Sequence, residues 1–210
     1  AQMTNEEVPK DVFKLGFGTY KNLTAVHFKN FPGWHTYWIN PGDAGLPIKA
    51  ELIKANSKKV LAPSQWPIPK RFIETGGQIA YGFVDSYSLF YDLSKEKNGP
   101  TELQISWLIC KHICVPGQKV IKGNITKGIF IPETQEELQI GENEVAQRYQ
   151  SLPTKSTWPT YLEAQLIGDK ENEIFWLELK IQNEKYHIPT ERNVATLYPT
   201  DLLDIEHEKL

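Results

Sequence analysis

The sequence predicts a mainly β protein, namely an immunoglobulin-like β-sandwich with a short helix and a smaller C-terminal β unit. Short runs rich in Val, Ile, Phe, Tyr, Trp and Thr fill residues 1–132, and clusters of Gly, Pro and Asn separate them. No long helical pattern interrupts these runs, and β patterning returns after residue 153. About seven or eight short strands in this arrangement are typical of an immunoglobulin-like sandwich.

The predicted strands of the first part follow from local patterning. They lie at residues 12–20, 23–30, 35–39, 48–55, 79–93, 102–110, 119–121 and 125–131. The strand at 102–110 has the clearest pattern, because Leu103, Ile105 and Trp107 alternate with polar residues at the period of a half-buried strand. Turns are predicted where Pro fixes φ and Gly permits positive φ, at residues 31–33, 40–43, 98–100 and 115–117.

The remaining elements define three predicted segments. A short helix is predicted at residues 142–150, and it ends before Pro153. Further strands are predicted at residues 161–167, 174–181, 186–188 and 194–197. We therefore predict an immunoglobulin-like domain at 1–132, a helical linker at 133–153 and a small β unit at 154–210. That unit is expected to pack on the first domain or to form a partial second sandwich.

Composition and charge exclude several classes of function. Lys and Arg number 23 and Asp and Glu number 26, which gives a formal charge of −3. This charge offers no general attraction to nucleic acid or to acidic membranes. No run of 18 apolar residues occurs, so no membrane span is predicted. The chain begins with Ala1 rather than Met, which predicts an exported protein whose signal peptide has been removed.

The chain has two cysteines, Cys110 and Cys114, and their spacing limits what they can do. If a strand simply continued through them, their Cα atoms would lie about 13 Å apart, too far for a disulfide. Either the chain turns after Cys110 or the cysteines are unpaired. A bond between them would close a ring of five residues and stabilise the fold by only about 2 kcal/mol. This small gain favours a disulfide that is broken and re-formed during function, rather than one that only stabilises the fold.

The charge pattern around the cysteines supports a reactive thiol. Residues 103–132 contain no Asp or Glu but contain four lysines, which are Lys111, Lys119, Lys122 and Lys127. Nearby positive charge stabilises thiolate, the form that attacks disulfides. His112 is a candidate for additional charge or proton transfer.

Three interpretations of the cysteine segment follow from the residues. The first is a redox-active pair, which requires no cofactor. The second is a structural disulfide in a redox-inert immunoglobulin-like interaction domain. The third is a copper(I) module that uses Cys110, His112 and Cys114, because two thiolates and an imidazole suit the soft Cu(I) ion.

Four motifs occur in order along residues 35–117. They are the signature of HTYW at 35–38 followed by PGDAGLP at 41–47, then WPIPKRF at 66–72, YGF at 81–83, and the segment from WLIC to CVPG at 107–117. Together they resemble the DsbD-type N-terminal domain family, most closely its ScsB-like branch of copper-tolerance and cytochrome c biogenesis proteins. The resemblance implies a periplasmic immunoglobulin-like domain with protein-disulfide reductase or thiol–disulfide oxidoreductase activity.

The resemblance also implies roles for individual residues and partners. Cys110 and Cys114 become a redox-active disulfide, and Tyr81 and Gly82 lie in or beside the loop that caps it. His35 is expected to be structural unless it approaches Cys110. The implied partners are periplasmic thioredoxin-like or other redox proteins and a membrane-embedded electron donor.

Overall fold

The computed structural model describes residues 12–54, 57–74, 76–153, 162–169, 174–181 and 184–190. The chain divides into two units, Ala1–Pro153 and Thr154–Leu210. Within the described residues, no helix is both long enough and apolar enough to cross a bilayer.

The first unit consists of short strands followed by one helix. Its strands are β1 (Phe13–Tyr20), β2 (Leu23–Asn30), β3 (His35–Gly42), β4 (Lys49–Lys54), β5 (Ser57–Leu61), β6 (Lys70–Ile73), β7 (Ile79–Phe83), β8 (Ser86–Tyr91), β9 (Gly99–Cys110), β10 (Cys114–Thr126) and β11 (Ile129–Pro132). The helix α1 spans Glu142–Gln150, as the sequence predicts.

Two sheets face each other and confirm the predicted immunoglobulin-like sandwich. The smaller sheet has the order β1-β2-β8, and the larger has the order β11-β10-β9-β3-β7-β6, with β4 paired to β9 and β5 paired to β4. Between the sheets, the rings of Phe13 and Trp107 lie 4.5 Å apart. The Thr36 and Tyr87 hydroxyl groups are 2.7 Å apart in the same interior. The core is therefore mostly apolar, with a few hydrogen-bonded polar groups.

Strand β9 organises the larger sheet. It pairs with β10 over twelve residue positions, and its other edge pairs with β4 and then with β3. β11 pairs with β10 only at residues 123–126, and no described strand pairs with the outer edge of β10 before that point. The predicted turn at residues 115–117 is therefore wrong. Pro116 fits this open edge because it has no N–H to donate, and the missing side chain of Gly117 leaves space for the Trp107 ring opposite.

Several strand boundaries differ from the prediction for identifiable reasons. The strand predicted at 79–93 is two strands in different sheets, because the chain bends at residues 84–85 and crosses the sandwich. Strands β5 and β6 have mostly exposed residues, so they lack the alternating apolar pattern that the prediction used. A turn with positive φ at Lys127 and Gly128 separates β10 from β11.

The helix belongs to the first unit, Ala1–Pro153. Val145 and Leu152 are buried against Ala25 and Phe90 of the smaller sheet. The rings of Phe90 and Tyr149 meet edge to face at 5.1 Å. These contacts bury one face of the helix, which makes it part of the sandwich.

In the second unit, three antiparallel strands form one sheet. They are β12 (Leu162–Asp169), β13 (Ile174–Ile181) and β14 (Glu184–Thr190), in that order. They correspond to three of the predicted strands, and the fourth, at 194–197, lies outside the described residues.

Beneath the helix, His27 is a buried imidazole in the smaller sheet. Its Nδ1 lies 2.8 Å from the Ser88 hydroxyl, which also accepts a hydrogen bond from Arg148. Its Nε2 is buried beside Gly18 and has no hydrogen-bond partner among the described residues. Burial, together with the positive charge of Arg148, lowers the pKa of His27 to about 4.

We expect the free energy of unfolding to fall on mild acidification because of His27. The unfolded chain binds this proton near pH 6.5, whereas the folded chain binds it only near pH 4. The stabilisation is therefore complete above about pH 6.5 and is lost as the pH falls towards 4, with a total loss of about 3 kcal/mol. Urea unfolding across this range should show the loss, and His27→Gln should flatten it. An equal pH dependence in both proteins would contradict the assignment.

Candidate functional site

The two cysteines lie where the paired strands of one hairpin meet their connecting loop. Cys110 is the last residue of β9, Cys114 is the first residue of β10, and residues 111–113 form the connecting loop. The two residues are directly opposite each other in the strand pairing, with Cα atoms 4.1 Å apart, and their sulfur atoms form a disulfide. The chain therefore turns after Cys110, as pairing requires.

The two halves of the disulfide differ in access to solvent. Cys110 is 0% exposed and belongs to the hydrophobic core, whereas Cys114 is exposed. In the loop between them, His112 and Ile113 are exposed and Lys111 is partly buried. A reagent or partner therefore meets Cys114 at the surface, while Cys110 lies beneath packed side chains.

Cys110 is buried on the outer face of the larger sheet by residues from three other strands. It forms a cluster with Tyr37 of β3 and Ala80 of β7, and Phe72 of β6 and Leu108 pack against this cluster. Phe72 and Ala80 are directly opposite each other in the β6–β7 hairpin. Because Ala80 is small, the aromatic side chains that cover Cys110 are Tyr37 within this cluster and Phe72 packed against it.

Beside Cys110, three polar side chains form a hydrogen-bonded group. His35 is the direct cross-strand neighbour of Cys110, so it does approach the cysteine pair. Its Nε2 lies 2.7 Å from Glu74 Oε1 and 3.2 Å from the Tyr37 hydroxyl, which donates to the same carboxylate oxygen. Burial, followed by the hydrogen bond and negative charge of Glu74, raises the pKa of Tyr37 well above its ordinary value. Tyr37 therefore stays a neutral hydrogen-bond donor.

Tyr81 and Gly82 lie beside this cluster but differ in how they contribute. Gly82 is directly opposite Tyr37, and a Cβ atom on it would lie 2.0 Å from the Thr36 carbonyl oxygen. Glycine is therefore needed for β7 to approach β3 closely. Alternation along β7 places Tyr81 on the opposite face of the strand from Ala80, and so away from Cys110.

The Pro-Gly-Asp turn anchors the β6–β7 hairpin that covers the site. The Asp43 carboxylate accepts a hydrogen bond of 2.9 Å from the Ile79 N–H, and the Asp43 N–H donates to the Ile79 carbonyl oxygen. Gly42 has a φ of +87°, and a Cβ atom there would clash with the same carbonyl oxygen. The motif therefore fixes the position at which β7 begins.

The charged side chains near the cysteines in the structure differ from those that the sequence suggests. Lys119, Lys122 and Lys127 follow Cys114 along β10 and into the turn beyond it, so only Lys111 of the four lysines lies in the cysteine loop. Lys119 also forms an ion pair with Glu136. The acidic group of the site is instead the partly buried carboxylate of Glu74, which pairs with His35, the cross-strand neighbour of Cys110.

No metal site is evident in the part of the chain that the structure describes. No three His, Cys, Asp or Glu side chains are grouped there to hold a metal ion. The two sulfur atoms bond to each other, and His112 is exposed in the loop between them. The copper(I) set of Cys110, His112 and Cys114 stays a prediction for the reduced protein.

Comparison with protein families identifies the domain. The family described as "Thiol:disulfide interchange protein DsbD, N-terminal" matches residues 6–124, which is more than half of the chain. The chain belongs to this family. The matched segment contains the whole hairpin with Cys110 and Cys114, and it ends before the helix. A search of curated proteins finds no match.

Two solved structures are similar to this family member at low sequence identity. The N-terminal periplasmic domain of ScsB from Proteus mirabilis is 12% identical, with a TM-score of 0.45 over 80% of this chain and 86% of that one. The reduced DsbD N-terminal domain of Neisseria meningitidis is 14% identical, with a TM-score of 0.43 over 62% of this chain and 98% of that one.

Sequence reasoning missed two side chains of the site. Phe72 lies within the quoted WPIPKRF motif, but nothing in the motif shows that its ring covers a cysteine more than thirty residues later. Glu74 follows β6 directly and reaches His35 only because β6 folds back beside β7. The sequence offers one signal for Glu74, namely an acidic residue close to a family motif. The lack of Asp and Glu in residues 103–132 points instead to a site without acidic groups.

We expect the two thiols of the reduced domain to react with iodoacetamide at different rates. Cys114 should be alkylated at least about tenfold faster than Cys110, because burial hinders both access and ionisation of a thiol. Mass spectrometry of the two peptides over time measures both rates. Phe72→Ala should accelerate alkylation of Cys110, whereas the neighbouring Ile73→Ala should not, since Ile73 is 67% exposed. Equal rates at both cysteines would contradict the described burial.

Proposed function

We propose that this domain exchanges disulfides with thioredoxin-like or other redox proteins through the Cys110–Cys114 pair. The observation that carries the proposal is the asymmetry of the disulfide, with one sulfur-bearing residue at the surface and the other in the core. An exchange site needs one sulfur that a partner can reach and one that stays within the domain to complete the reaction. Membership of the DsbD N-terminal family supports the same activity.

The exposed residue determines which sulfur meets the partner. In the reduced domain, the Cys114 thiolate attacks the partner's disulfide and forms a mixed disulfide. Cys110 then attacks Cys114, the bond to the partner breaks, and the partner leaves reduced by two electrons. In the opposite direction, a partner thiolate attacks Cys114 and Cys110 departs as the leaving group.

The hairpin geometry also favours exchange over a structural role for the disulfide. β9 and β10 pair over twelve positions, so backbone hydrogen bonds hold together the two strand ends that carry the cysteines, without help from the disulfide. A bond that closes five residues adds only about 2 kcal/mol, even to an unrestrained loop. The disulfide can therefore open and close while the sandwich remains folded.

The proposed compartment is the periplasm. Disulfides persist in oxidising compartments, and the bacterial periplasm is one of them. The family is named for a thiol:disulfide interchange protein, and this chemistry needs redox partners in the same compartment. The proposed partners are soluble thioredoxin-like proteins on one side and a membrane-embedded electron donor on the other.

We expect single-cysteine variants to distinguish the two sulfurs. Cys110→Ala should hold a partner as a stable mixed disulfide through Cys114, because the second cysteine that would release the partner is absent. Cys114→Ala should trap far less, because its remaining thiol is buried. Non-reducing gels and mass spectrometry of periplasmic extracts mixed with each variant measure the trapped species. The proposal fails if neither variant traps a partner and mild dithiothreitol leaves the wild-type disulfide intact.

A further inference from the structure

The second step of exchange places a specific demand on Cys110. Its thiol must lose a proton before it can attack the mixed disulfide, because thiolate is the attacking species. Cys110 is 0% exposed and packs against Tyr37, Ala80, Phe72 and Leu108. Burial among such side chains disfavours the charged form of a thiol. Because Cys110 is 0% exposed, a neighbouring side chain is better placed than bulk water to accept this proton.

His35 is placed to be that acceptor. It is the direct cross-strand neighbour of Cys110, and such neighbours project from the same face of a sheet with Cβ atoms about 5 Å apart. Cys114 is the direct neighbour of Cys110 on the other side. The three side chains therefore stand in one row across β3, β9 and β10, with Cys110 in the middle.

Glu74 determines which nitrogen of His35 carries the proton. An ionised carboxylate only accepts hydrogen bonds, so the Nε2 that lies 2.7 Å from Glu74 Oε1 carries the hydrogen. A neutral imidazole then has its lone pair on Nδ1, the nitrogen nearer to the backbone. Tyr37 donates to the same carboxylate oxygen and holds it in place. This arrangement leaves Nδ1 of His35 as a hydrogen-bond acceptor, with the Glu74 carboxylate beside Nε2.

We propose that His35 accepts the proton of Cys110 during the second step of exchange and that Glu74 is the residue that positions His35 for it. This inference rests on the proposed exchange function. The proton moves from Cys110 Sγ to His35 Nδ1, and the thiolate forms a bond to Cys114 Sγ. The bond between Cys114 and the partner breaks, and the partner departs as a thiolate. The domain is oxidised and the partner reduced by two electrons, and the imidazolium returns its proton to solvent or to the partner thiolate.

The groups facing Cys110 on each neighbouring element are consistent with this assignment. β3 supplies His35 and Tyr37, the end of β6 supplies Glu74, and β10 supplies Cys114. Tyr37 is held neutral by its burial and by Glu74, so it does not compete for the proton. The loop supplies Lys111 and His112, and His112 is the competing acceptor because it lies near the cysteines in sequence.

An aromatic disulfide separates the two steps in one experiment. Reduced full-length protein reacts with dithiobis-nitrobenzoate and releases one coloured thiolate when Cys114 attacks and a second when Cys110 displaces it. The first phase depends on reagent concentration and the second does not, because it is intramolecular. At about pH 7, His35→Gln should slow the second phase at least about tenfold and leave the first within about twofold of wild type. At about pH 10 the difference between His35→Gln and wild type should narrow, because a higher hydroxide concentration favours the attacking thiolate in both proteins.

Variants at other positions test the rest of the proposal. Glu74→Gln should slow the second phase several-fold, whereas Glu133→Gln, an exposed acid at the far end of the hairpin, should not. His112→Gln tests the competing acceptor, and a slowing equal to that of His35→Gln would overturn the assignment. An unchanged second phase in His35→Gln would also overturn the assignment, as would a slowing of that phase that is equally large at about pH 10. His35→Asn provides a second variant if His35→Gln shows an altered urea midpoint.

The failure of this inference is distinct from the failure of the proposed function. If wild-type protein shows no first phase, or releases only one thiolate, the cysteines do not work as an exchange pair and the proposed function fails. If both phases are present in wild type but are insensitive to His35 and Glu74, exchange stands and the proton route through His35 is wrong.

Discussion

The register between three strands is the constraint on which this site depends. β9 pairs with β10 so that Cys110 faces Cys114, and it pairs with β3 so that His35 faces Cys110. Because side chains alternate between the two faces of a strand, a slip of one residue in either pairing would move one partner to the opposite face. The inner face fixes this register, since Ile105 and Ile109 of β9 are fully buried in the sandwich. Core packing on one face therefore aligns the chemistry on the other.

The β6–β7 hairpin completes the site from the outer face. It brings Phe72 and Ala80 onto Cys110 and places Glu74 against His35. Two features of sequence hold this hairpin in place, namely the absence of a side chain at Gly82 and the hydrogen bonds of Asp43. Residues that look like ordinary turn formers thus determine how deeply Cys110 is buried. The difference in exposure between the two cysteines follows from this cover and not from the hairpin that carries them.

The sequence predicts the fold class, the helix at 142–150 and most of the buried strands, because alternation and helical spacing record which side chains enter the core. It does not predict β5 and β6, whose residues are mostly exposed and which are held by pairing with β4 and β7. The turn predicted at 115–117 fails for a related reason. Proline is excluded from a strand only where its backbone nitrogen would have to donate a hydrogen bond, and an open sheet edge makes no such demand.

For the site, the sequence identifies Cys110 and Cys114 and includes His35 among the candidates. It misses Glu74 and Phe72, because their proximity to Cys110 arises from strand pairing between segments far apart in the chain. Net charge along a segment is also a weak guide. The lysines that follow Cys114 in sequence extend away from it along β10, whereas the partly buried acid arrives from another hairpin. Electrostatics depends on distance in space, and the sequence gives only distance along the chain.

Pro116 has a consequence for how other proteins can meet the exposed sulfur. It lies two residues after Cys114 on the open edge of β10, where an ordinary residue would present a backbone donor to an incoming strand. Because that donor is missing, an added strand would pair poorly with this edge. The sheets of two copies of the chain are therefore less able to join next to Cys114. For the proposed exchange, this favours recognition of the Cys114 region through side chains rather than through an added strand, which suits a contact that is selective and short-lived.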